Sequence, residues 1–185
     1  GPFLFSSGLF ALGLMQGGSS TQKKTWLPRI AAGDAIGAFA LLEAEDRLDA
    51  AGVTVKAKKG RDGYTISGTK MFAPFAAVAD VLLVVTRTSG RGEEGVTLLL
   101  VDRETPGVTI RPLDIFDRTR RVYEVEFHNV VTPKTALVGG EGEGWPIVAR
   151  LCDAACVALA ADSLGGAQKA LEMAVEYTKV RTQFN

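Results

Sequence analysis

The chain has 185 residues, enough for one domain or slightly more with a sizeable buried core. Its 21 Lys and Arg balance 21 Asp and Glu, and this zero net charge excludes the basic surplus of a nucleic-acid or anionic-membrane binder. With 46% hydrophobic and 23% charged residues, the composition is globular and excludes a disordered chain.

Residues 1–33 read as helix. Phe5, Leu9, Leu12 and Gln16 mark one stripe, and Gly17-Gly18 ends it. Ser19 or Ser20 caps a second helix from Thr21 to Trp26, Pro28 redirects the chain, and Gly33-Asp34 closes the zone. Gly1 to Leu14 is apolar but lacks the basic start of a signal peptide, and no apolar run is long enough for a membrane span. A soluble, cytoplasmic protein is expected. Because the chain starts without Met and Tyr177 to Asn185 continue in helical register, a middle piece of a longer protein is expected too.

From Ile36 to Val138 the period changes to strands. Val53 to Lys58 and Tyr64 to Ser67 flank Gly60-Arg61-Asp62-Gly63, a hairpin signal. Val81 to Val85 and Val96 to Val101 are apolar, β-branched runs bounded by turns or charges. Tyr123 to His128 alternates, which predicts Tyr123, Val125 and Phe127 inward and Glu124, Glu126 and His128 outward. No helical pattern interrupts the strands, so an antiparallel barrel or sandwich is expected.

Helical period returns from Gly144. Val148, Leu151, Cys152, Ala155 and Leu159 share a face that Leu164, Ala167, Leu171, Ala174 and Val175 continue, predicting one helix of about 35–40 residues. Gly165-Gly166 inside it costs about 1 kcal/mol per Gly relative to Ala, which close packing against a neighbouring helix would explain. The fold class expected is α+β: the end of a helical domain over 1–35, an antiparallel β-barrel-like middle domain over 36–140, and the start of a second helical domain over 141–185.

Local chemistry is sparse. Cys152 and Cys156 sit four apart on one helix face, unsuited to a disulfide, and read as small core residues. One histidine, His128, leaves too few soft ligands for zinc and reads as a solvated surface group. Gly139 to Gly144 opens a helix as phosphate loops do, but its two Glu and its spacing favour a hinge. Glu43, Glu45, Asp46 and Asp49 do not match a calcium loop and read as a solvated loop. Arg118, Arg120 and Arg121, with Lys56, Lys58 and Lys59, read as balanced surface charge or as contacts for a nucleotide-bearing substrate's phosphates.

The ordered set of motifs resembles the acyl-CoA dehydrogenase family nearly end to end. It comprises Gly18 to Lys23 with Trp26 to Arg29, Phe39 to Glu43, Gly68 to Phe72, Val101 to Val108, Gly142 to Trp145, and Tyr177 to Phe184 in the pattern Y-x-x-x-R-x-Q-F. The resemblance implies FAD as cofactor and α,β-dehydrogenation of an acyl-CoA substrate. A Glu removes the α-proton while hydride leaves for the flavin. It also implies a homo- or hetero-oligomer and an electron acceptor such as a flavoprotein. By position, Phe39, Leu41, Leu42, Phe72, Ala73 and Pro74 fall at the flavin, and Leu48 at the substrate's CoA side. Arg181, Gln183 and Phe184 fall where relatives reach the FAD of the neighbouring subunit. The catalytic base is expected beyond Asn185, since Ala155 occupies the alternative position. Three departures stand out. The family usually carries Thr at Leu42, Ser or Thr at Pro74, and Ser at Leu48, and each lost flavin hydrogen bond weakens binding by about 0.5–1.5 kcal/mol. Phe72 replaces the usual Trp. These departures imply a second possibility, a non-catalytic partner subunit with a degenerate flavin site of its own.

Overall fold

The computed structural model describes residues 3–184. A π-helical turn, Leu4–Gly8, leads into α1 (Leu9–Gly17), followed by α2 (Ser20–Ala32). Ser19 caps α2 through a capping box: its hydroxyl accepts from Gln22 N at 3.2 Å while Gln22 Oε1 accepts from Ser19 N at 2.8 Å. Pro28 does not redirect the chain, because α2 continues through it to Ala32. The carbonyl that loses its partner is that of Lys24, which is exposed to water. The buried face of α1 is also shifted from the expected stripe. Leu9, Phe10, Gly13 and Leu14 are buried, whereas Gln16 is exposed, because the Gly13 face lies against Leu83 of the sheet and Leu151 of the last helix.

The strands are β1 (Gly37–Ala40), β2 (Lys56–Lys59), β3 (Gly63–Pro74), β4 (Val81–Arg87), β5 (Val96–Asp102), β6 (Val108–Pro112), β7 (Val122–Pro133) and β8 (Leu137–Val138). They form one sheet in the order β6-β7-β3-β2-β4-β5-β8, with β1 also on β4. The expected α+β class holds, but the sheet is open and mixed. Five ladders are antiparallel, while β1 and β2 each run parallel to β4. The β2–β3 hairpin occupies the connection from β1 to β4, so the parallel return needs no helix of its own.

Two cores meet at β4. Val81, Leu83 and Val85 face the helices with Phe10, Leu14, Val148 and Leu151, while Leu82 and Val84 face a second core with Ile66, Val125 and Phe127. Burial on both faces is why this strand reads as an unbroken apolar run. β7 alternates as expected, with Tyr123, Val125 and Phe127 buried and His128 exposed.

The last helix, α3 (Trp145–Val180), is a single element of 36 residues. It stops before the expected helical register does. Arg181 is extended, and none of the described residues from elsewhere in the chain packs on this exposed end. Only Ile147, Val148 and Leu151 are buried, and a Cβ added at Gly165 or Gly166 would meet no atom within 4 Å. The expected neighbour for that glycine pair is therefore not found among the described residues. Gly1, Pro2 and Asn185 lie outside them. Among the described residues no helix is long and apolar enough to cross a membrane.

A candidate ligand cavity

β1 ends at Ala40, and the chain leaves it as Leu41-Leu42-Glu43, which lies beside β3 rather than in solvent. Met71 N donates to Leu42 O at 2.8 Å, and Lys70 Nζ donates to Leu41 O at 2.8 Å and to Glu43 Oε1 at 2.7 Å. Lys70 is 0% exposed and the Glu43 side chain 8%. Thr54 N and Val55 N donate to the same carboxylate at 2.9–3.1 Å, and the Thr54 hydroxyl donates as well. Glu43 is therefore not part of a solvated acidic loop. Burial pushes its carboxyl up, but the Lys70 charge and these donors outweigh that and hold it below its ordinary value. Burial also pushes the Lys70 ammonium down to about 8, against the pull of Glu43.

On the other side, β3 carries a bulge. Its register against β7 shifts between Lys70 and Ala73, and Phe72 sits at φ 53° in the left-handed region. Strict alternation would put Lys70, Phe72 and Pro74 on one face. The extra residue instead buries Lys70 and Ala73 while Phe72, 38% exposed, and Pro74 line a cavity. A non-Gly residue held in the left-handed region stores about 1–3 kcal/mol of strain.

The cavity measures about 500 Å³. Phe39, Leu41 and Leu42 line it together with Phe72, Pro74 and Phe75 from the neighbouring β3 segment. Phe5 and Leu9 close it from the N-terminal helices, Leu151, Cys152 and Ala155 from α3, and Leu48 stands at the rim, 67% exposed. Polar groups are few: Thr119, Arg120 and Asp162. The Arg120 guanidinium carbon lies 5.4 Å from the centre of the Phe5 ring. Cys152 is half-buried and burial raises its thiol pKa, whereas Cys156 is exposed and is not a core residue.

Seven positions singled out from the sequence thus converge on one cavity: Phe39, Leu41, Leu42, Leu48, Phe72, Pro74 and Ala155. Ala73 sits behind the wall in the core. Arg181, Gln183 and Phe184 do not join them. The rise of α3 carries Arg181 about 39 Å beyond Ala155. There Arg181 stacks on Tyr177, 5.3 Å from its ring centre, and Phe184 is 98% exposed. Sequence reasoning missed Phe5, Leu9 and Phe75 as cavity residues. It noticed Arg120 only as one charge in a cluster.

Several of the remaining sequence candidates have structural roles. Gly139 N donates to Gly17 O, Gly142 N to Thr97 Oγ1 and Gly144 N to Val96 O, so the Gly-rich connector is fastened rather than free to cradle phosphate. Glu141 in it pairs with Lys59 at 2.7 Å and accepts from the Tyr64 hydroxyl at 2.9 Å. Arg47 and Asp49 pair at the surface, and Asp49 accepts from Gly52 N at 2.9 Å. No group of metal-ligating side chains occurs among the described residues.

The cavity fits a flavin in part only. Phe72 offers a ring face to stack on a planar heterocycle. The polar edge of an isoalloxazine carries carbonyl oxygens and ring nitrogens that need donors, and the Leu42 side chain and Pro74 provide none. The side-chain donors on the lining are Thr119 and Arg120, so the Leu42 and Pro74 stretch itself does not fit a polar ring edge.

Comparison with known proteins places these features in a family. The profile described as "Acyl-CoA dehydrogenase, middle domain" matches residues 38–130, which hold both cavity walls from β1 and β3. An acyl-CoA dehydrogenase of Bacillus subtilis is 34% identical over 172 residues, covering 90% of this chain and 45% of that protein. A butyryl-CoA dehydrogenase structure from Megasphaera elsdenii superposes with a TM-score of 0.92 at 33% identity, covering 98% of this chain and 49% of that one. A glutaryl-coenzyme A dehydrogenase in complex with glutaryl-CoA gives a TM-score of 0.91 at 27% identity, covering 96% and 46%. The chain spans about half the length of the relatives it matches. A profile match over the cavity-bearing strands, together with a superposition that extends through α1 and α3, shows that the chain belongs to the acyl-CoA dehydrogenase family.

Proposed function

We propose that the chain is part of an enzyme assembly that removes two hydrogens across the Cα–Cβ bond of an acyl-CoA thioester, with FAD as the family's hydride acceptor. The supporting observation is the convergence of Phe39, Leu42, Phe72 and Ala155 on one largely apolar cavity, from elements remote in sequence. In this reading the chain contributes walls that exclude water, and the Lys70–Glu43 pair holds the Leu41–Leu42 wall in place. The proton-abstracting carboxylate lies outside the chain. Ala155 has nothing to ionise, and Asp162, the one carboxylate on the lining, is already partnered. The assembly is a homo- or hetero-oligomer that passes electrons to a flavoprotein. Its domain boundaries fall near 35/36 and 140/141. Acyl-CoA-dependent reduction of a dye acceptor tests the reading. The full-length protein in its assembly should turn over straight-chain or branched acyl-CoA, and the 185-residue chain alone should not. Turnover by this chain alone, or none by the assembly, would defeat it.

A second reading is favoured by one observation, the missing donors at Leu42 and Pro74. The full-length protein would then be a non-catalytic partner whose own flavin site is degenerate, while Arg181 and Gln183 serve a neighbouring subunit. Arg suits that role because its planar fork holds a phosphate through paired hydrogen bonds. Mixing the protein with a flavin-loaded paralogue separates the two readings. Activity that needs both chains and is lost with Arg181→Ala supports the partner role, and full activity of this protein without a paralogue contradicts it.

A further inference from the structure

We propose that Cys152 and Cys156 on α3 form a two-coordinate site for a soft, thiol-seeking cation of the copper(I) class. The chain carries two cysteines, both free, and they stand four residues apart within one uninterrupted helix. That spacing stacks them on one face with Cβ atoms about 5–6 Å apart. A disulfide needs Cβ atoms about 3.8 Å apart, so the helix keeps the two thiols from closing on each other. The same gap suits a bridging metal. Two metal–thiolate bonds of about 2.3 Å in line span about 4.6 Å, which rotation about the two χ1 bonds reaches without bending the helix. Ligand type then selects the ion, because thiolates favour copper(I) over hard, oxygen-seeking cations. Zinc would need four ligands, and no group of three or more His, Cys, Asp or Glu that could hold a metal occurs among the described residues. An ion also has a way in: Cys156 is exposed to solvent, while Cys152 is half-buried on the cavity lining beside Ala155. On binding, each thiol gives its proton to water, two metal–sulfur bonds form, and no electron changes hands.

The site goes beyond the dehydrogenation proposed above and does not rest on it, since neither thiol has a part in that reaction. The test is anaerobic titration of the 185-residue chain with copper(I) held by a competing chelator, with metal analysis after gel filtration. One ion per chain is expected. Cys152→Ser and Cys156→Ser should each weaken binding by about a hundred-fold or more, because the second thiolate acts as an intramolecular partner for an ion already held by the first. Moving one thiol tests the spacing. Ala154→Cys combined with Cys156→Ala keeps two thiols but turns them to opposite sides of the helix, and it should bind no better than the serine variants. Zinc(II) at equal concentration should leave the copper(I) in place. Circular dichroism melts that match wild type show that each variant retains the fold. Undiminished affinity in either serine variant or in the displaced pair, one ion shared between two chains, or displacement by zinc(II) would each overturn the assignment.

Discussion

Replacing Lys70 with Met should destabilise the chain by about 3–4 kcal/mol at pH 7. Lys70 is 0% exposed, and among the described residues its ammonium is the only cation within bonding distance of the Glu43 carboxylate, whose side chain is 8% exposed. Breaking a buried ion pair from one side costs about 3–5 kcal/mol, because the surviving charge is left uncompensated. Thr54 and Val55 continue to donate to that carboxylate, which puts the loss near the low end. Leu41 O loses its donor as well, adding about 1 kcal/mol. A loss of 3–4 kcal/mol lowers the folding equilibrium by between two and three powers of ten. Guanidinium unfolding followed by circular dichroism reads this directly, and the double variant Lys70→Met, Glu43→Leu supplies the control. With both charges gone, the loss should be clearly smaller than the sum of the two single losses, because no charge is left uncompensated, although Leu41 O, Thr54 N and Val55 N still lose their partners. A single-variant loss under about 1 kcal/mol, or a double variant that loses the sum of the singles, would refute the coupling.

The same pair predicts a pH signature. Glu43 titrates below its ordinary value in the fold, so its contribution is present above the unfolded carboxyl pKa and is lost as pH falls through the lowered one. The gap between wild type and Lys70→Met should therefore narrow in acid, which unfolding curves across pH 3–7 would show. Lys70 gives up its proton at about 8 in the fold while the unfolded chain holds it to about 10.4, so stability should rise with pH across that window. A Lys70 side-chain NMR titration with its midpoint near 8 checks the cause. Gly37→Ala should cost about 2 kcal/mol and lower the melting temperature by about 4–8 °C, because the added Cβ would fall 2.2 Å from Phe10 Cγ in a filled core. Gln22→Ala should cost about 2 kcal/mol. It removes half of the capping box and the donors to Thr135 O and Leu137 O at 2.8 and 3.0 Å, and hydrogen exchange should speed up around residues 135–138.

Periodicity was informative wherever one local rule governs burial. The Tyr123–Val125–Phe127 alternation and the long helix from Trp145 were legible because each follows a single period over many residues. It was less informative where distant partners decide. Glu43 sits among acids and an arginine, a pattern that reads as solvated loop, and its partner Lys70 is 27 residues away. The parallel return of β4 beside β1 left no trace in local pattern, because β4 is buried on both faces. The buried face of α1 was not legible because it is set by the close approach of Gly13 to Leu83 and Leu151, partners far away in sequence. The cavity shows both sides of this. Its β1 and β3 walls were found through motif resemblance, whereas Phe5, Phe75 and Arg120 come from segments with no motif and reach the site by folding alone.

The measurement that bears most directly on the account is the flavin content of the full-length protein expressed and purified alone. If the flavin takes the proposed place, Leu42 and Pro74 offer its ring edge no side-chain donors, and losing two such bonds weakens binding by about one to two powers of ten. FAD per subunit, read by absorbance after gel filtration, should therefore be well below one and should fall further on dilution. One FAD per subunit, retained through the column, would contradict the account.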